Sequence, residues 1–455
     1  MQTEVRAENK MGVMSVPKLI ITMSLPIMAS MLVQALYNVV DSIFVAQISE
    51  NALTAVSMAF PIQNLMIAVA TGTGVGINAL LSRNLGAKNF EKVNNIANHA
   101  IFLAVASYVV FLLIGAFGSE AFFRSQTDIE EIIAYGTQYT RICCCLSLGM
   151  FVAILCERML QATGKTMLSM YSQGAGAITN IIMDPILIFG MFGFPKMGVA
   201  GAAYATIAGQ IVSAIISFTL NKKKNKEIEI HLRSFHPDFA LIKQIYGIGI
   251  PSIIMASIGS VMNYGMNRIL LGFTSTATAV FGVYFKLQSF IFMPVFGLNN
   301  GVIPVIAYNY GAGNKERVVK AIKASAVIAL LIMTAGVIVF QTIPDVLLKM
   351  FDASETMLFI GVPALRVISL SFLFAAVGIA CSSAFQALGY AFYSMIMSIV
   401  RQLVVLLPVA YLLSLTGEVR LVWFAFPIAE VVAIILCAFF MVYIYKTVIS
   451  KIGAH

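Results

Sequence analysis

Four polar side chains share one face of the first long apolar stretch, residues 19–46. They recur at helix positions i, i+3, i+4 and i+7: Gln34, Tyr37, Asn38 and Asp41. An aspartate at the centre of a membrane helix is unfavourable by about 3 kcal/mol, and protonation or a bound cation would relieve that penalty. The spacing therefore predicts a functional polar face that looks inward. The alternative is a hydrogen-bonded polar patch with only a packing role.

A second carboxyl, Asp184, belongs to a later apolar stretch at the same expected depth. Asp41 and Asp184 lie five and six residues before the ends of two outward-running segments. Asn180 is one turn before Asp184, and Thr206 is nine residues into the next segment, which runs inward. With Tyr37 these residues would offer hard oxygen ligands for Na⁺, or a carboxyl pair whose like charges favour holding a proton. A hydrogen-bonded helix junction is the alternative.

The other charged residues in apolar stretches are fewer and more scattered. Glu157 lies at the inner edge of the fourth stretch, and Glu430 lies in the twelfth. We expect Lys286 and Arg401 either to pair with Glu430 or to line a substrate path, together with the polar residues of the first stretch. Pro26 interrupts the backbone hydrogen bonding of the first helix and predicts a bend there.

The remaining motifs argue against an enzyme. The run TGTGVG, residues 71–76, lies inside an apolar stretch and predicts close helix packing, not a phosphate loop. The six cysteines have neither disulfide spacing nor histidine partners, so we interpret them as small apolar side chains. We therefore expect no metal centre other than a possible Na⁺ site at the coupling residues, and no catalytic residues.

The elements that position these residues are membrane helices. The chain has 455 residues, of which 60% are hydrophobic and 11% charged, which excludes an ordinary soluble globule. Twelve apolar segments predict an all-α polytopic membrane protein. With a cytoplasmic N-terminus, twenty Lys and Arg residues fall in inner segments and four in outer ones. That bias predicts both termini in the cytoplasm, and it attributes the net charge of +9 to topology and not to nucleic-acid binding.

One constant offset in residue number relates the two halves of the chain. This repeat offset pairs Pro26 with Pro251 and Gly76 with Gly301. A constant register over so long a stretch indicates a duplicated six-helix unit. We predict an N-lobe at 1–220, a cytoplasmic linker at 221–240 and a C-lobe at 241–455. The resulting fold has two pseudo-symmetric six-helix lobes around a central cleft.

Three local strings resemble one family of transporters. They are VQALYNVVDSIFV from Val33, NIIMDPILIFG from Asn180 and GVAGAAYAT from Gly198. With the twelve segments and the duplication, the chain resembles the MATE (multidrug and toxic compound extrusion) transporters over essentially its whole length, close to the prokaryotic DinF-like and MepA-like branch.

The resemblance implies a proton- or sodium-coupled antiporter that exports cationic or amphipathic drugs by rocking two lobes. It carries the family's cation-site positions onto this chain at Tyr37, Asp41, Asn180, Asp184 and Thr206. Pro26 matches the family's bending first helix. The chain lacks the acids that the NorM-like branch uses in helices 7 and 10, so a sodium site in the second lobe is not expected.

We therefore expect a secondary active multidrug efflux antiporter in a prokaryotic plasma (inner) membrane. Its expected partners are small cationic or amphipathic substrates and the lipid bilayer, without nucleic acid, and a single chain suffices. It needs no cofactor beyond the coupling ion, H⁺ or Na⁺. The alternatives are a flippase for lipid-linked oligosaccharides or lipids of the same superfamily and, in another class, a polytopic membrane enzyme or receptor.

Overall fold

A computed structural model of the chain describes residues 8–233 and 235–453, which are almost entirely helical and contain no β-strand. The first six long helices are α1 (Val16–Ala46), α2 (Glu50–Gly86), α3 (Phe90–Arg124), α4 (Glu130–Cys145 and Leu148–Ala162), α5 (Thr166–Phe189) and α6 (Val199–Lys224). The next six are α7 (Phe239–Leu271), α8 (Ser275–Gly311), α9 (Lys315–Thr342), α10 (Glu355–Ser369 and Phe372–Ala387), α11 (Ala391–Ser414) and α12 (Ala425–Thr447). The predicted location of both chain ends concerns residues 1–7 and 454–455, which lie outside the described part.

The helices confirm the all-α polytopic fold. Within the described residues, nine helices are long and apolar enough to cross a membrane, and the two-segment helices α4 and α10 raise the number to eleven. The twelfth is α5, whose 24 residues suffice to cross about 30 Å of hydrocarbon. It is less apolar than the others because it carries Gln173, Asn180 and Asp184.

Two spans are broken in the middle. The segments of α4 meet at an angle of 48°, and those of α10 meet at 45°. The second segment of α4 continues to Ala162, six residues beyond residue 156, the predicted end of the fourth apolar stretch. Glu157 therefore lies five residues before the end of this helical segment, and its predicted place at the inner edge of the span stays a prediction. In α11, residues Val400–Leu406 form a π-helical stretch.

Local structure repeats at the offset that the sequence predicted. Ser49 caps α2 by accepting a hydrogen bond from the Ala52 N–H, and Thr274 caps α8 in the same way. Asn89 and Asn314, which the repeat offset also pairs, cap α3 and α9. Side chains at these positions satisfy backbone donors that a helix start leaves without partners. The duplication seen in the sequence is thus present in the helix termini.

The chain packs into two compact units that divide α1 and α7. One unit contains residues 29–253 with residues 8–9, and the other contains residues 10–28 with residues 254–453. The division points, after Met28 and after Ile253, are again related by the repeat offset. The first unit therefore contains the opening segment of α7, and the second unit contains the opening segment of α1. The predicted lobes, 1–220 and 241–455, follow the sequence repeat and not these packing units, and they stay a prediction.

Glycines allow these opening segments to pack closely, as the TGTGVG run predicted. In the first unit, a Cβ added to Gly72 of α2 would lie 2.8 Å from the backbone nitrogen of Ile253. In the second unit, a Cβ on Gly297 would lie 2.8 Å from Cα of Met28. Contacts this short leave no room for a side chain, so glycine sets the distance between the helices.

Candidate functional site

Two carboxyl groups face each other in the first unit. Asp184 of α5 has no exposed surface, and Asp41 of α1 is half-buried. Their side chains lie within hydrogen-bonding range of each other. Among the described residues, no donor reaches Asp41 Oδ1 or either carboxylate oxygen of Asp184. Two ionised carboxylates in this arrangement would repel each other, and a shared proton or a bound cation would remove the repulsion.

An amide and a hydroxyl lie next to this pair. Asn180 is one turn before Asp184 on α5, and its Nδ2 donates to Thr206 Oγ1 of α6 at 3.3 Å. Its Oδ1 is buried and has no donor within the described chain. Gly176 and Gly209 allow α5 and α6 to pack closely one turn from Asn180, since a Cβ on Gly209 would lie 2.6 Å from the Gly176 carbonyl oxygen. An amide oxygen and a hydroxyl therefore belong to the same cluster as the two carboxyls.

The polar face predicted on α1 divides into two parts. Tyr37 is half-buried, and its hydroxyl is close enough to Asp41 and Asp184 to interact with their charges. Gln34 lies within hydrogen-bonding range of Tyr37, but both Gln34 and Asn38 are exposed on the helix surface. The cluster therefore includes Tyr37 and Asp41, while Gln34 and Asn38 lie at its margin or outside it.

Two residues of α4 also lie near Asp41, and the sequence reasoning missed them. Tyr139 and Cys143, one turn apart on the first segment of α4, lie within Coulombic range of Asp41. Gln63 of α2 donates to the Tyr139 hydroxyl oxygen at 3.1 Å. Their spacing of four residues on a helix of mixed polarity was the signal that could have identified them.

Glu157 is a third buried acid of the same unit and is 4% exposed. Three side chains donate to its carboxylate: Ser213 at 2.9 Å, Gln173 at 2.6 Å and Ser172 at 3.2 Å. Unlike Asp184, it is therefore well supplied with donors. It joins the second segment of α4 to both α5 and α6.

The charged residues predicted for the second unit are only partly brought together. Arg401 Nη1 lies 3.2 Å from Glu430 Oε1, and the two side chains are 25% and 15% exposed. Arg401 Nε is buried without an acceptor among the described residues. Lys286 is exposed, with its Nζ 6.0 Å from the centre of the Phe351 ring. The structure pairs Arg401 with Glu430 and leaves Lys286 apart from them.

Two further expectations concern Pro26 and metals. The helix α1 continues through Pro26, so the predicted bend stays a prediction. Across residues 8–233 and 235–453, no group of three or more His, Cys, Asp or Glu side chains is arranged to hold a metal ion. The cluster around Asp184 differs from such a site because it combines two carboxyls with an amide oxygen and hydroxyls.

These features define a class: a polytopic helical membrane protein, built from two copies of a six-helix sequence, with an acid pair buried in one unit. Comparison with known proteins agrees with this class. The profile of the MatE family matches the chain twice, over residues 26–186 and 251–412. The two matches begin at Pro26 and Pro251, which the repeat offset pairs. The match covers well over half of the chain, and the chain belongs to the MatE family.

Individual relatives cover nearly the full length. The multidrug export protein MepA of Staphylococcus haemolyticus is 27% identical over 440 residues, which are 96% of this chain and 95% of that protein. A solved outward-facing structure of a multidrug resistance MATE family transporter of the MOP superfamily is 27% identical, with a TM-score of 0.88. It covers 95% of this chain and 98% of its own.

A third relative is described differently. It is a MOP superfamily transporter from Pyrococcus furiosus, 26% identical, with a TM-score of 0.89 over 97% of this chain and 98% of its own. Its description states that the reverse polarity of its binding pocket suggests a different function. With transporters as its relatives and membrane-spanning helices throughout, the chain is a multi-pass membrane transporter and not an enzyme.

Proposed function

We propose that this transporter is a secondary active multidrug efflux antiporter that exports cationic or amphipathic compounds in exchange for H⁺ or Na⁺. Its coupling site is the Asp41–Asp184 pair, assisted by Tyr37, Asn180 and Thr206. The export of multiple drugs by relatives such as MepA supports the substrate class.

One observation supports the coupling role: among the described residues, no hydrogen-bond donor reaches Asp41 Oδ1 or either oxygen of Asp184. A buried carboxylate is normally stabilised by hydrogen bonds or a cation, as the three donors around Glu157 illustrate. The oxygens of Asp184 and Oδ1 of Asp41 have no such donors in the part of the chain that the structure describes. A pair placed in this way holds a proton or a small cation whenever it is sealed from water, and releases it when hydrated.

Coupling then follows from competition between two ligands. A proton or Na⁺ on the acid pair stabilises one arrangement of the first unit, and substrate stabilises another. Since a ligand shifts an equilibrium only by its difference in affinity for the two states, the ion must bind one arrangement more tightly. Removal of either carboxyl removes that difference and leaves the two arrangements uncoupled from the gradient.

The test uses purified protein in proteoliposomes, with ethidium and tetraphenylphosphonium as cationic probes. We expect probe transport when a pH gradient or a Na⁺ gradient is imposed, and the two gradients applied separately identify the coupling ion. Asp41→Asn should abolish gradient-driven transport while the protein remains folded. Asp128→Asn, which alters an exposed aspartate of the same unit, is the matched control and should behave like the wild type.

Undiminished gradient-driven transport by Asp41→Asn would refute the assignment of the coupling site. Transport of neither probe under either gradient would refute drug antiport and favour the flippase alternative. That alternative predicts an excess of cationic groups near Lys286 and Arg401. The pairing of Arg401 with Glu430 compensates one of those charges and therefore supports antiport over the flippase.

A further inference from the structure

The linker between α6 and α7 is hydrogen-bonded along one face of α3. The backbone N–H of Glu229 donates to Asn94 Oδ1 at 2.8 Å, and that of His231 donates to Asn98 Oδ1 at 2.9 Å. Two residues of extended chain span about 6.6 Å and four residues of helix span about 6 Å, so the two spacings match. This part of the linker therefore follows α3, and side chains of the helix satisfy its backbone donors.

His99, the next residue of α3, holds the end of the linker. Its side chain has no exposed surface, and the Phe235 ring packs against it edge-on at 4.8 Å between ring centres. Its Nδ1 lies 2.8 Å from the Asn95 carbonyl oxygen, and its Nε2 lies 2.8 Å from the Asp238 backbone nitrogen. A carbonyl can only accept and an N–H can only donate, so Nδ1 carries the hydrogen and Nε2 is the acceptor. The contacts therefore require a neutral ring in one tautomer.

The N–H that His99 binds lies at the start of α7. Asp238 caps this helix, because its Oδ1 accepts from the N–H groups of Ala240 at 2.9 Å and Leu241 at 3.2 Å. The segment that follows packs on the glycine face of α2 within the first unit. His99 is therefore a positioning residue for both the linker and the opening segment of α7.

The corresponding fastening in the second unit has a different chemistry. The repeat offset pairs His99 with Ala324, so the histidine does not recur. Instead, Arg317 Nη2 of α9 donates to the carbonyl oxygens of Met11 and Met14, just before α1, at 2.9 and 2.7 Å. Arginine stays charged in proteins, whereas histidine ordinarily gains its charge between pH 5 and 8. Of these two fastenings, only the one at His99 can respond to pH in that range.

The charged groups around His99 come from several elements. Within the described chain, the ring forms hydrogen bonds only with backbone groups. On α2 and α4, which pack against α3, Arg83 is exposed, Arg158 donates to Gln161 and Glu157 binds residues of α5 and α6. The charged or titratable side chains nearest in sequence are exposed, apart from the half-buried Lys92; they are Glu91, Lys92, Glu229, His231, Arg233, His236 and Lys243. The Asp238 N–H, and not an ion pair, therefore sets the charge state of the clasped ring.

We propose that His99 is a proton-operated clasp that fastens the linker and the start of α7 to α3 at neutral pH, releases them in acid and thereby slows transport. A proton from water that binds Nε2 turns this acceptor into a second N–H donor, which then faces the Asp238 N–H. The hydrogen bond breaks, whereas the released ring holds the proton without this conflict. Acid therefore favours release. The linker is predicted to be cytoplasmic, so the clasp responds to acid on that side.

Hydrogen–deuterium exchange of the purified protein from about pH 5 to 8 tests the clasp. Protection factors, which remove the effect of pH on intrinsic exchange, are compared for peptides that cover residues 229–241. We expect protection there to fall by roughly tenfold or more in acid, since a buried donor loses its partner. Peptides that cover residues 10–20, which Arg317 holds, should show no such step and are the internal control.

Three substitutions assign the step to the imidazole. His99→Gln places an oxygen near the position of Nε2 that accepts at every pH in the range, so protection should persist in acid. His99→Phe keeps a ring but has no acceptor, so protection should be low throughout. His231→Gln is the matched control, because it changes an exposed histidine that holds the linker only through its backbone N–H. It should keep the acid step of the wild type.

The effect on transport is measured as ethidium exchange across proteoliposomes with equal pH on both sides. Titration of the acid pair then affects the wild type and the His99 variants alike. We expect the wild type and His99→Gln to exchange at equal rates at neutral pH. At the acid end of the range the wild type should be slower, because only its clasp has opened, and His99→Phe should be slow at both.

Unchanged protection of the wild type from neutral to acid pH would overturn the clasp. An acid step that persists in His99→Gln would assign the step to another group and remove His99 from the explanation. Equal ethidium exchange by the wild type and His99→Gln in acid would refute the effect on transport. The inference uses no residue of the coupling site. Failure of the proposed antiport is separately visible as absence of ethidium transport by the wild type at every pH, and hydrogen exchange still decides for or against the clasp.

Discussion

Asp184→Asn should stabilise the protein while it uncouples transport. Asp184 is fully buried beside Asp41, and neither of its oxygens accepts a hydrogen bond from a described donor. Asparagine has almost the same shape, but its Nδ2 is a donor and the neighbouring Asp41 carboxyl is an acceptor. Asp41 Oδ1 and Asn180 Oδ1 are both buried and have no donor among the described residues. The substitution therefore replaces a repulsive pair by a hydrogen-bonded one.

The size of the effect follows from two contributions. Two unit charges 4 Å apart interact by about 4 kcal/mol at an effective dielectric constant near 20. A hydrogen bond to a charged group contributes about 1.5–3 kcal/mol. A shared proton on the wild-type pair relieves the repulsion and also forms a hydrogen bond between the two carboxyls, so the expected gain at acidic pH is small. At alkaline pH, where the pair loses its proton, the gain should be larger.

The assay is thermal unfolding of purified protein in detergent at several pH values, together with transport in proteoliposomes. We expect Asp184→Asn to unfold at a higher temperature than the wild type, with a difference that grows as the pH rises, and to lose gradient-driven probe transport. Asp128→Asn serves again as the exposed control. A stability equal to or below that of the wild type at alkaline pH would refute the reasoning, because it would show that the acid pair is satisfied by other means.

Two further predictions concern packing and charge. Gly176→Ala should lower the free energy of unfolding by about 1–3 kcal/mol, since its Cβ would lie 2.8 Å from the Gly209 carbonyl oxygen. Gly174→Ala, in the same helix, is the control: its Cβ would enter open space, so the change should be neutral or stabilising by up to about 1 kcal/mol. Thermal unfolding of both variants checks this prediction. Arg401→Gln should destabilise more than the double variant with Glu430→Gln, because the single change leaves a mostly buried carboxylate without its cation; a double-mutant cycle measures the difference.

The sequence was sufficient for the fold because the membrane restricts what a chain can form. Long apolar stretches can only be helices in a bilayer, so their number and order follow from hydropathy. The offset that pairs Pro26 with Pro251 also appears in the caps Ser49 and Thr274, since both copies keep the same helix starts. The proximity of Asp41 to Asp184 followed from depth alone, because both helices run the same way and both acids lie near their ends.

The environment of Glu157 could not be predicted in this way. Counting depth along a chain assumes a straight helix, and the 48° break in α4 invalidates the count beyond Cys145. Its partners Ser172 and Ser213 are residue types that also serve ordinary helix packing, so the sequence did not distinguish them. The spacing around Asp41 predicted which polar residues share a helix face, but not how much of that face is buried. The predicted face therefore included Asn38, which is exposed.

The division of α1 and α7 between the packing units has a consequence for biosynthesis. The glycine face of α2 is covered by residues that precede Ile254, and these emerge from the ribosome only after all six helices of the first sequence copy. A fragment that stops after α6 would leave Gly72 and Gly76 without the backbone they pack against. The first sequence copy therefore completes the packing of α2 only when the opening segment of the second copy has been synthesised.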